Sequence, residues 1–445
     1  MPGRLKRAVS RGFLNLLGPR IDASPAEGGL GAHPLKAAAP PWGRVLPPDP
    51  TLRDIALTAD PDHAASRLRA IPAGAEPADD VAVVSCRLLH LSTAHARLNL
   101  PEDLASRVAG MARADAAWLF RQQALPHGDP DLALLHAALL TAGLAWPALE
   151  DARAFRSAGI SGLRHSLGDA TGEDGPGGAE PAALARAAWA VCIARAWLDA
   201  GRASLPRDAD AALLRACTAL WRIGGDSGTL PSPVTEVEPL LPLCETPLSH
   251  TLHDLMVTWG LHDGPPASQG SAAATLLTRI TPAGAPAPMA GPDWRMWAYR
   301  ASGVAVAHRT IRKMPARAWI SASAQRFSLD LDGETVLDAP MPAGTLDVAR
   351  VDGNQATLKL SHGPHTRDLR LRQARLQVSD DGLSEVTWTL PPWPREATDK
   401  GFHARAPNGA QLVVKVDPAW RWTFQGDTLI GTGEPQPIKY AFELR

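Results

Sequence analysis

Histidines in both halves of the sequence could act as a general acid or a general base, because an imidazole exchanges a proton near neutral pH. They are His127, His136, His165, His308, His362, His365 and His403. The chain has only two tyrosines, Tyr299 and Tyr440, that could join a histidine in a proton-transfer pair. We take Tyr299, His136, His362 and His403 as the candidate catalytic residues. A lone histidine is more often a structural residue, so each assignment requires a partner group beside it.

The sequence supports metal-dependent and glycosidase-like chemistry less than proton transfer by histidine and tyrosine. In SHTLHD, His250 and His253 lie three residues apart on a predicted helix and Asp254 follows, which is compatible with zinc, but no third ligand is marked. We therefore expect no metal and no cofactor. Acidic residues in polar segments could form the paired carboxylates of a glycosidase: Glu173, Asp174, Asp226, Glu236 and Glu238. Neighbouring acids in a polar turn are usually solvated, so a glycosidase is the third hypothesis.

The candidate substrate-binding residues are arginines and tryptophans. Arg370 and Arg372 are two residues apart on a predicted strand and therefore share one face of its sheet, which suits an anionic glycan. A solvent-exposed sheet face explains the same pattern. Trp146 and Trp221 lie on or next to predicted helices and could stack on sugar rings, although most tryptophans of this region should belong to the core.

Composition and charge limit the classes of partner. The 445 residues fit two or three domains, and 45 basic against 46 acidic residues give a formal net charge of −1. No global field therefore draws the protein to nucleic acid. The predominance of arginine over lysine points to a GC-rich, bacterial genome. The sequence leaves the oligomeric state open.

Neither cross-linking nor targeting is indicated. The four cysteines show no CxxC spacing and read as small buried residues: Cys86, Cys192, Cys217 and Cys244. The N-terminal segment MPGRLKRAVSRGFLNLLG has a short apolar stretch and no clear cleavage site. We therefore assign no signal peptide and favour the cytoplasm over the periplasm. No run approaches the ~20 apolar residues of a membrane-spanning helix.

A change in the spacing of apolar residues divides the chain. Helical spacing predicts antiparallel helical hairpins over Leu132–Leu144, Ala152–Leu167, Pro181–Ala200, Asp208–Ile223 and Pro247–Gly260. Beyond the linker, alternating residues with DG, NG or GD turns predict eight or more strands of an antiparallel sandwich. We expect an N-terminal arm (1–50), a helical domain (51–280), a linker (281–292) and a β-sandwich domain (293–445).

This order of elements resembles the heparinase II/III-like polysaccharide lyases. The segment Gly128–Pro147 looks like the family's Asn-His helix, and Gly224–Pro233 is similar to its late DG-x-LP turn. Trp297–His308 resembles the strand that opens the sandwich, and LSHGPHTRDLRLRQARLQVSDD resembles a later strand pair. The resemblance covers roughly residues 115–410. It implies an α+β multidomain fold, in which an incomplete α/α toroid is followed by an antiparallel β-sandwich.

The chain departs from the family at the residues that carry its chemistry. The resemblance implies Asn or Arg to neutralise the carboxylate of a uronic acid, and His and Tyr to move protons. The Asn-His position here reads Asp129-Pro130, and the start of the family's Tyr-His helix reads Glu180-Pro181. The stretch that supplies histidines in the sandwich reads SASAQ over 321–325, which removes a familiar metal site.

The layout predicts a polysaccharide lyase that cleaves acidic, uronate-containing glycans by β-elimination. The missing residues leave open an inactive relative that binds glycan or a protein partner. The two hypotheses differ in whether a His/Tyr pair meets an Arg or Asn inside a cleft. We expect an acidic polysaccharide as the partner, with no nucleic acid.

Overall fold

The computed structural model describes residues 66, 80–97, 100–122, 125–177, 180–231, 247–263, 265–267, 277–278, 288–322, 325–341, 344–406 and 411–444. The expected arm (1–50), the first part of the expected linker (281–287), Glu236, Glu238 and Cys244 lie outside these ranges. The chain divides into two compact units. The first contains the described residues of Met1–Gly175, Ala179–Trp221 and Ser232–Ala287, and the second contains those of Pro176–Gly178, Arg222–Pro231 and Pro288–Arg445.

The first unit is built from α-helices. Those in the described ranges are α1 (Val81–Arg97), α2 (Glu102–Arg121), α3 (Pro130–Ala145), α4 (Ala152–Leu163), α5 (Ser166–Thr171), α6 (Pro181–Ala200), α7 (Arg207–Gly224) and α8 (Leu248–Thr258). From Arg222 onward, α7 belongs to the second unit. Among the described residues, no helix combines the length and the apolar character that crossing a bilayer requires.

Helix α3 forms the centre of the first unit. Every residue from Leu132 to Ala145 is buried, and α1, α4 and α6 all pack against the helix. Its sequence is rich in Ala and Leu on all sides, which is typical of a helix surrounded by other helices. The Asp129 carboxylate caps the first turn by accepting a hydrogen bond from the Asp131 N–H at 2.9 Å, and Pro130 occupies the first helical position.

Glycine allows α4 to approach α3 closely. A Cβ atom on Gly159 would lie 2.6 Å from the Cβ of Leu140 and 2.7 Å from the carbonyl oxygen of His136. Such distances are too short for real carbon atoms, so this crossing requires a residue without a side chain. The single helix predicted over Ala152–Leu167 is wrong, because α4 ends at Leu163 and α5 begins at Ser166. In between, the N–H of His165 turns back to the carbonyl of Gly162 at 3.1 Å.

The second unit consists of antiparallel strands. In the described ranges they are β1 (Arg295–Tyr299), β2 (Val304–Ile311), β3 (Met314–Ser321), β4 (Arg326–Leu331), β5 (Glu334–Pro340), β6 (Thr345–Asp352), β7 (Gln355–His362), β8 (His365–Arg372), β9 (Arg375–Asp381), β10 (Glu385–Thr389), β11 (Arg395–Thr398), β12 (Gly401–Arg405), β13 (Gln411–Lys415), β14 (Arg421–Gln425), β15 (Thr428–Thr432) and β16 (Ile438–Leu444). They form two eight-stranded sheets. The first has the order β1-β2-β3-β4-β5-β10-β15-β14, and the second has the order β11-β12-β13-β16-β9-β8-β7-β6.

The two sheets bury one hydrophobic core between them. Trp388 of the first sheet meets Phe442 of the second at 4.6 Å between ring centroids, and both belong to a cluster drawn from both sheets. Alternate residues of β7, β8 and β9 are buried, as expected where one face of a sheet is covered. The predicted order of helices followed by an antiparallel sandwich is therefore confirmed.

An ion pair lies inside this apolar core. The Arg367 guanidinium of β8 donates to both carboxylate oxygens of Asp380 on β9, at 2.6 and 3.0 Å, and both residues are almost completely buried. The Tyr440 hydroxyl donates to the same carboxylate at 2.5 Å and accepts a hydrogen bond from the Trp388 indole at 3.0 Å. Burial raises the pKa of Tyr440 well above its usual value, so the phenol stays protonated as a donor.

We expect Arg367→Met to destabilise the protein by about 3–5 kcal/mol, because it leaves the buried Asp380 carboxylate without its cation. Arg370→Met on the same strand is the matched control. Its pair with Asp368 is solvent-exposed, so its loss should change stability by no more than about 1 kcal/mol. Denaturant unfolding at pH 7 measures both, and equal effects would contradict the role of the buried pair.

Candidate functional site

A pocket of 650 Å³ opens in the helical unit, between α3, α4, α5, the end of α2 and the turn before α3. Its polar lining combines three histidines, three serines and one carboxylate: His127, His136, His165, Ser157, Ser161, Ser166 and Asp169. The apolar lining consists of Phe120, Leu132, Ala154 and Ala158, together with Gly162. The three histidines of the N-terminal half named from the sequence thus meet in one place.

His136 is the buried histidine of the pocket. It lies in the middle of α3, and its Nδ1 is 3.1 Å from the Oγ of Ser166, within hydrogen-bonding distance. Burial lowers the pKa of His136 from 6.5 to about 4, so the imidazole is neutral at pH 7. The ring rests against Gly162, because a Cβ there would lie 2.2 Å from Cδ2 and 2.3 Å from Nε2.

His127 is the exposed histidine of the same pocket. Its Nδ1 lies 3.6 Å from a carboxylate oxygen of Asp169, which is the one acid among the described residues of the lining. The next residue, Gly128, has φ = 85°, a left-handed conformation that glycine adopts readily, and this turn directs the chain into α3. A carboxylate at this distance from an imidazole can orient the ring.

The remaining lining follows one face of α4. Ser157 and Ser161 are four residues apart, as are Ala154 and Ala158, so small residues form a stripe facing the pocket. Phe120 lies at the rim with 40% of its surface exposed, in edge contact with Phe155. Sequence reasoning missed Phe120, the serines and Asp169. The Ser157–Ser161 spacing carried a signal, but only the packing of α4 on α3 shows that this face borders a cavity.

The candidate residues of the sandwich do not form one cluster. Tyr299 is buried in β1 of the first sheet. In the second sheet, His362 ends β7 opposite His365, Arg370 and Arg372 are exposed on β8, and His403 is exposed on β12. Three strands separate β8 from β12, which places these positions about 19 Å apart at ~4.8 Å per strand. Their proposed roles stay predictions.

The two candidate tryptophans contact histidines. Trp146 caps α3, is only 5% exposed and stacks on His95 with ring centroids 5.0 Å apart. Trp221 on α7 stacks on His253 at 3.9 Å. Neither residue lines the histidine pocket. Their predicted sugar-stacking role would have to use the ring surface that these contacts leave open.

The SHTLHD segment lies on α8 and its polar groups have local partners. His253 Nε2 lies 3.1 Å from the Pro265 carbonyl oxygen, and burial lowers the pKa of His253 to about 4. The Asp254 carboxylate accepts a hydrogen bond from the Ala267 N–H at 2.6 Å. Within the described ranges, no three His, Cys, Asp or Glu side chains form a group that could hold a metal ion.

Other candidate proton-transfer groups stabilise the second unit. His308 Nε2 lies 2.5 Å from the Arg222 carbonyl oxygen, and burial lowers the pKa of His308 to about 4. The Asp226 carboxylate accepts hydrogen bonds from the backbone N–H groups of Met289 and Ala290. These contacts hold the segment Arg222–Pro231 within the unit, and they occupy an acid considered for glycosidase chemistry.

Two positions where the sequence departs from the lyase motifs have a local structural role. Asp129 caps α3, and the Glu180 carboxylate caps α6 by accepting from the Ala183 N–H at 3.0 Å. In both cases proline follows at the first helical position. An acidic residue followed by proline is therefore a helix start at each of these sites.

No family model matches the chain, and no curated protein matches it in sequence. Several solved structures are similar to it in fold. A heparinase III structure matches with a TM-score of 0.58 and 14% identity over 89% of this chain and 75% of that one. The heparan sulfate lyase from Pedobacter heparinus matches with a TM-score of 0.50 and 15% identity, over 88% of this chain and 75% of that one. A heparinase III gene product with methylated lysines matches with a TM-score of 0.53 and 13% identity over 82% of this chain. The match covers 66% of that protein, so the chain spans about two thirds of its length.

These likenesses establish the fold. The chain has the heparinase-like fold, with a helical toroid followed by an antiparallel β-sandwich, as its sequence predicted. At 13–15% identity they carry no information about individual catalytic residues.

We expect Gly162→Ala to displace the His136 imidazole and to cost about 1–3 kcal/mol, because the new methyl group would occupy the position of the ring. Gly168→Ala on α5 is the control. Nothing lies within 4 Å of its Cβ position, so this change should be neutral or stabilising by up to about 1 kcal/mol. Unfolding free energies and the NMR signals of the imidazole report both effects. An unmoved His136 signal in Gly162→Ala would refute the contact.

We expect His136 to make the protein less stable as the pH falls. Its folded pKa is depressed from 6.5 to about 4, so between these values the unfolded chain binds more protons and stability rises with pH. The full contribution is present above pH 6.5 and lost as the pH falls through 4, up to about 3 kcal/mol for such a shift. His136→Gln should therefore unfold with a shallower pH dependence than the wild type. The exposed His403→Gln should match the wild type, and parallel wild-type and His136→Gln curves would contradict this expectation.

Proposed function

We propose that this protein acts on acidic, uronate-containing polysaccharides and cleaves them by β-elimination. The observation that carries the proposal is the likeness of fold to heparinase III and heparan sulfate lyase structures, which extends over 82–89% of the chain. The histidine pocket supports it, because proton-transfer groups line an open cavity large enough for sugar residues.

Elimination across a uronic acid needs three tasks. The carboxylate must be neutralised so that the neighbouring C–H becomes acidic, the proton must be removed, and the leaving glycosidic oxygen must receive a proton. We assign proton removal to His127, because its imidazole is exposed to the cavity and the Asp169 carboxylate beside it, at 3.6 Å, can orient the ring. The C–H proton passes to His127 as the glycosidic C–O bond breaks, and His165, also exposed in the lining, donates a proton to the leaving oxygen.

His136 has a different task in this scheme. Its low pKa makes it a weak base, and its Nδ1 already faces the Ser166 hydroxyl. We assign it the role of a neutral hydrogen-bonding group that fixes Ser166 and holds the pocket open between α3 and α4. The sequence-based assignment of His136 as a catalytic acid or base is thus replaced by a positioning role in the proposal.

A second candidate function is glycan binding without cleavage. The specific observation in its favour is that Asp129 and Glu180, at positions where lyase motifs carry other residues, cap helices. Among the described residues, the pocket lining also contains no arginine or asparagine to neutralise a uronate. A protein of this fold with a retained pocket and without a complete proton-transfer set would bind glycan and leave it intact.

The protein is incubated with heparan, chondroitin, hyaluronan and alginate chains. We expect an unsaturated uronate product, which is measured by its ultraviolet absorbance. We expect His127→Ala to lower the rate by at least about 100-fold, the usual contribution of a general base. His250→Ala, on a helix outside the pocket, is the matched imidazole control and should retain the wild-type rate.

Two other results would redirect the assignment. Loss of activity in Tyr299→Phe or His403→Ala, with His127→Ala active, would place catalysis on the residues first chosen from the sequence. The absence of any unsaturated product, together with measurable glycan binding, would reject the lyase and leave the binding function.

A further inference from the structure

The register of the second sheet brings cations from distant parts of the chain onto one face. Residues directly opposite one another form a row across six strands: Arg350 (β6), Thr357 (β7), Arg370 (β8), Gln377 (β9), Ala441 (β16) and Lys415 (β13). Their neighbours in sequence, such as Leu369 and Leu371, belong to the core, so the row lies on the solvent side of the sheet. Across these six described strands the row carries three cations and no carboxylate.

A second row beside it adds two more arginines. Arg372 ends β8 and lies directly opposite Arg375, which begins β9, and both side chains are exposed. Like charges placed opposite each other on a sheet destabilise it, and Glu443 of β16 lies beside Arg375 alone. Sheet stability therefore does not account for this pair. The cations of the two rows form what we call the basic face: Arg350, Arg370, Arg372, Arg375 and Lys415.

Two cations of the basic face lie in exposed ion pairs. Arg350 is 3.2 Å from Asp352, and 67% and 69% of their side chains are exposed. Arg370 is 2.8 Å from Asp368, with 52% of the arginine side chain exposed. Exposed pairs of this kind contribute little free energy, and a guanidinium has five N–H donors. Both arginines can therefore bind an anion from solvent beside the carboxylate or in its place.

The spacing of the row suits an extended polyanion. At ~4.8 Å per strand, the strand positions of Arg350 and Arg370 are about 10 Å apart, and those of Arg370 and Lys415 are about 14 Å apart. A small anion could contact one of these positions, whereas a long chain with repeated charges can contact all three. Between the cations, Thr357 and Gln377 offer a hydroxyl and an amide that can hydrogen-bond to sugar hydroxyls.

We propose that the basic face is a binding surface for an acidic polysaccharide, in addition to the histidine pocket of the helical unit. Its arginines bind carboxylate or sulfate groups through paired N–H donors. That the polyanion is a polysaccharide rests on the proposed function, and it agrees with a net charge of −1, which gives no long-range attraction for nucleic acid. The sequence-based assignment of Arg370 and Arg372 to glycan binding is thereby extended to β6, β9 and β13.

Binding to polysaccharide chains tests the proposal, at about 0.1 M salt, where charges more than about 10 Å apart are largely screened. The probes are heparan sulfate and dextran sulfate, a sulfated glucan without uronic acid that β-elimination cannot cleave. The test variant combines Arg370→Gln, Arg372→Gln and Arg375→Gln. We expect it to bind both chains at least about tenfold more weakly than the wild type, since each exposed charge contributes about a factor of two or three.

A triple variant with the same change of net charge is the matched control. It combines Arg300→Gln, Arg312→Gln and Arg421→Gln, which replace exposed arginines on β14 or in turns of the first sheet. We expect both affinities to stay within about twofold of the wild type, because these charges lie away from the basic face. An equal loss in the two triple variants would overturn the proposal, because net charge alone would then explain the binding.

A single substitution tests how far the surface extends. Lys415→Gln, on β13, should weaken both chains by about two- to threefold. This variant keeps the proposal testable if the triple variant of the basic face fails to fold, and unchanged affinity would reject the row as one binding surface. Because the Arg372–Arg375 opposition is removed, we expect the triple variant to unfold at a denaturant concentration no lower than the wild type.

Duplex DNA is the third probe, and cleavage is measured separately. Tighter binding of DNA than of either polysaccharide, lost in the triple variant of the basic face, would assign the surface to nucleic acid and reject the proposal. Dextran sulfate binding that this variant loses, without unsaturated product from any uronate chain, would keep the basic face and reject the lyase. Unsaturated product, together with a triple variant that binds like its control, would keep the lyase and reject the basic face.

Discussion

The helical unit depends on the close approach of α4 to α3. At Gly159 the backbone of α4 touches Leu140 and the His136 carbonyl, and at Gly162 it touches the His136 ring itself. Any larger residue would push the helices apart, and the stripe of small residues on α4 would then no longer border the cavity. The same contact that closes the core therefore fixes both the depth of the pocket and the position of its buried histidine.

Burial at this contact also determines the charge of the site. His136 belongs to a helix that is buried on all sides, so its imidazole is shielded from water. Loss of hydration disfavours the charged form of the ring, and the pKa of His136 falls to about 4. His127 is exposed instead, and it lies beside the one carboxylate among the described residues of the lining. Two histidines of one pocket thus differ in environment because one belongs to the core and the other to a turn.

Sequence patterns predicted the helices, the strands and their order because each pattern is local. They did not distinguish Arg367 from Arg370 and Arg372 in one basic stretch. Odd and even positions of β8 face opposite sides of its sheet, so Arg367 points into the core while Arg370 and Arg372 face solvent. The buried charge of Arg367 is stabilised there by Asp380 on β9, which also accepts a hydrogen bond from Tyr440 on β16. Ser166 and Asp169 were missed for a similar reason: they became pocket residues when the chain turned at His165 and started a new helix.

Helix capping explains why acids at the divergent motif positions do not by themselves decide the function. Asp129 and Glu180 each satisfy a backbone N–H that would otherwise lack a partner, and proline in the next position is preorganised for a helix. These carboxylates accept hydrogen bonds from the backbone at the helix start, and a carboxylate has no donor with which to bind a second carboxylate. The caps are therefore part of the scaffold, and the pocket between α3, α4 and α5 is where the described residues of the helical unit bring three histidines together.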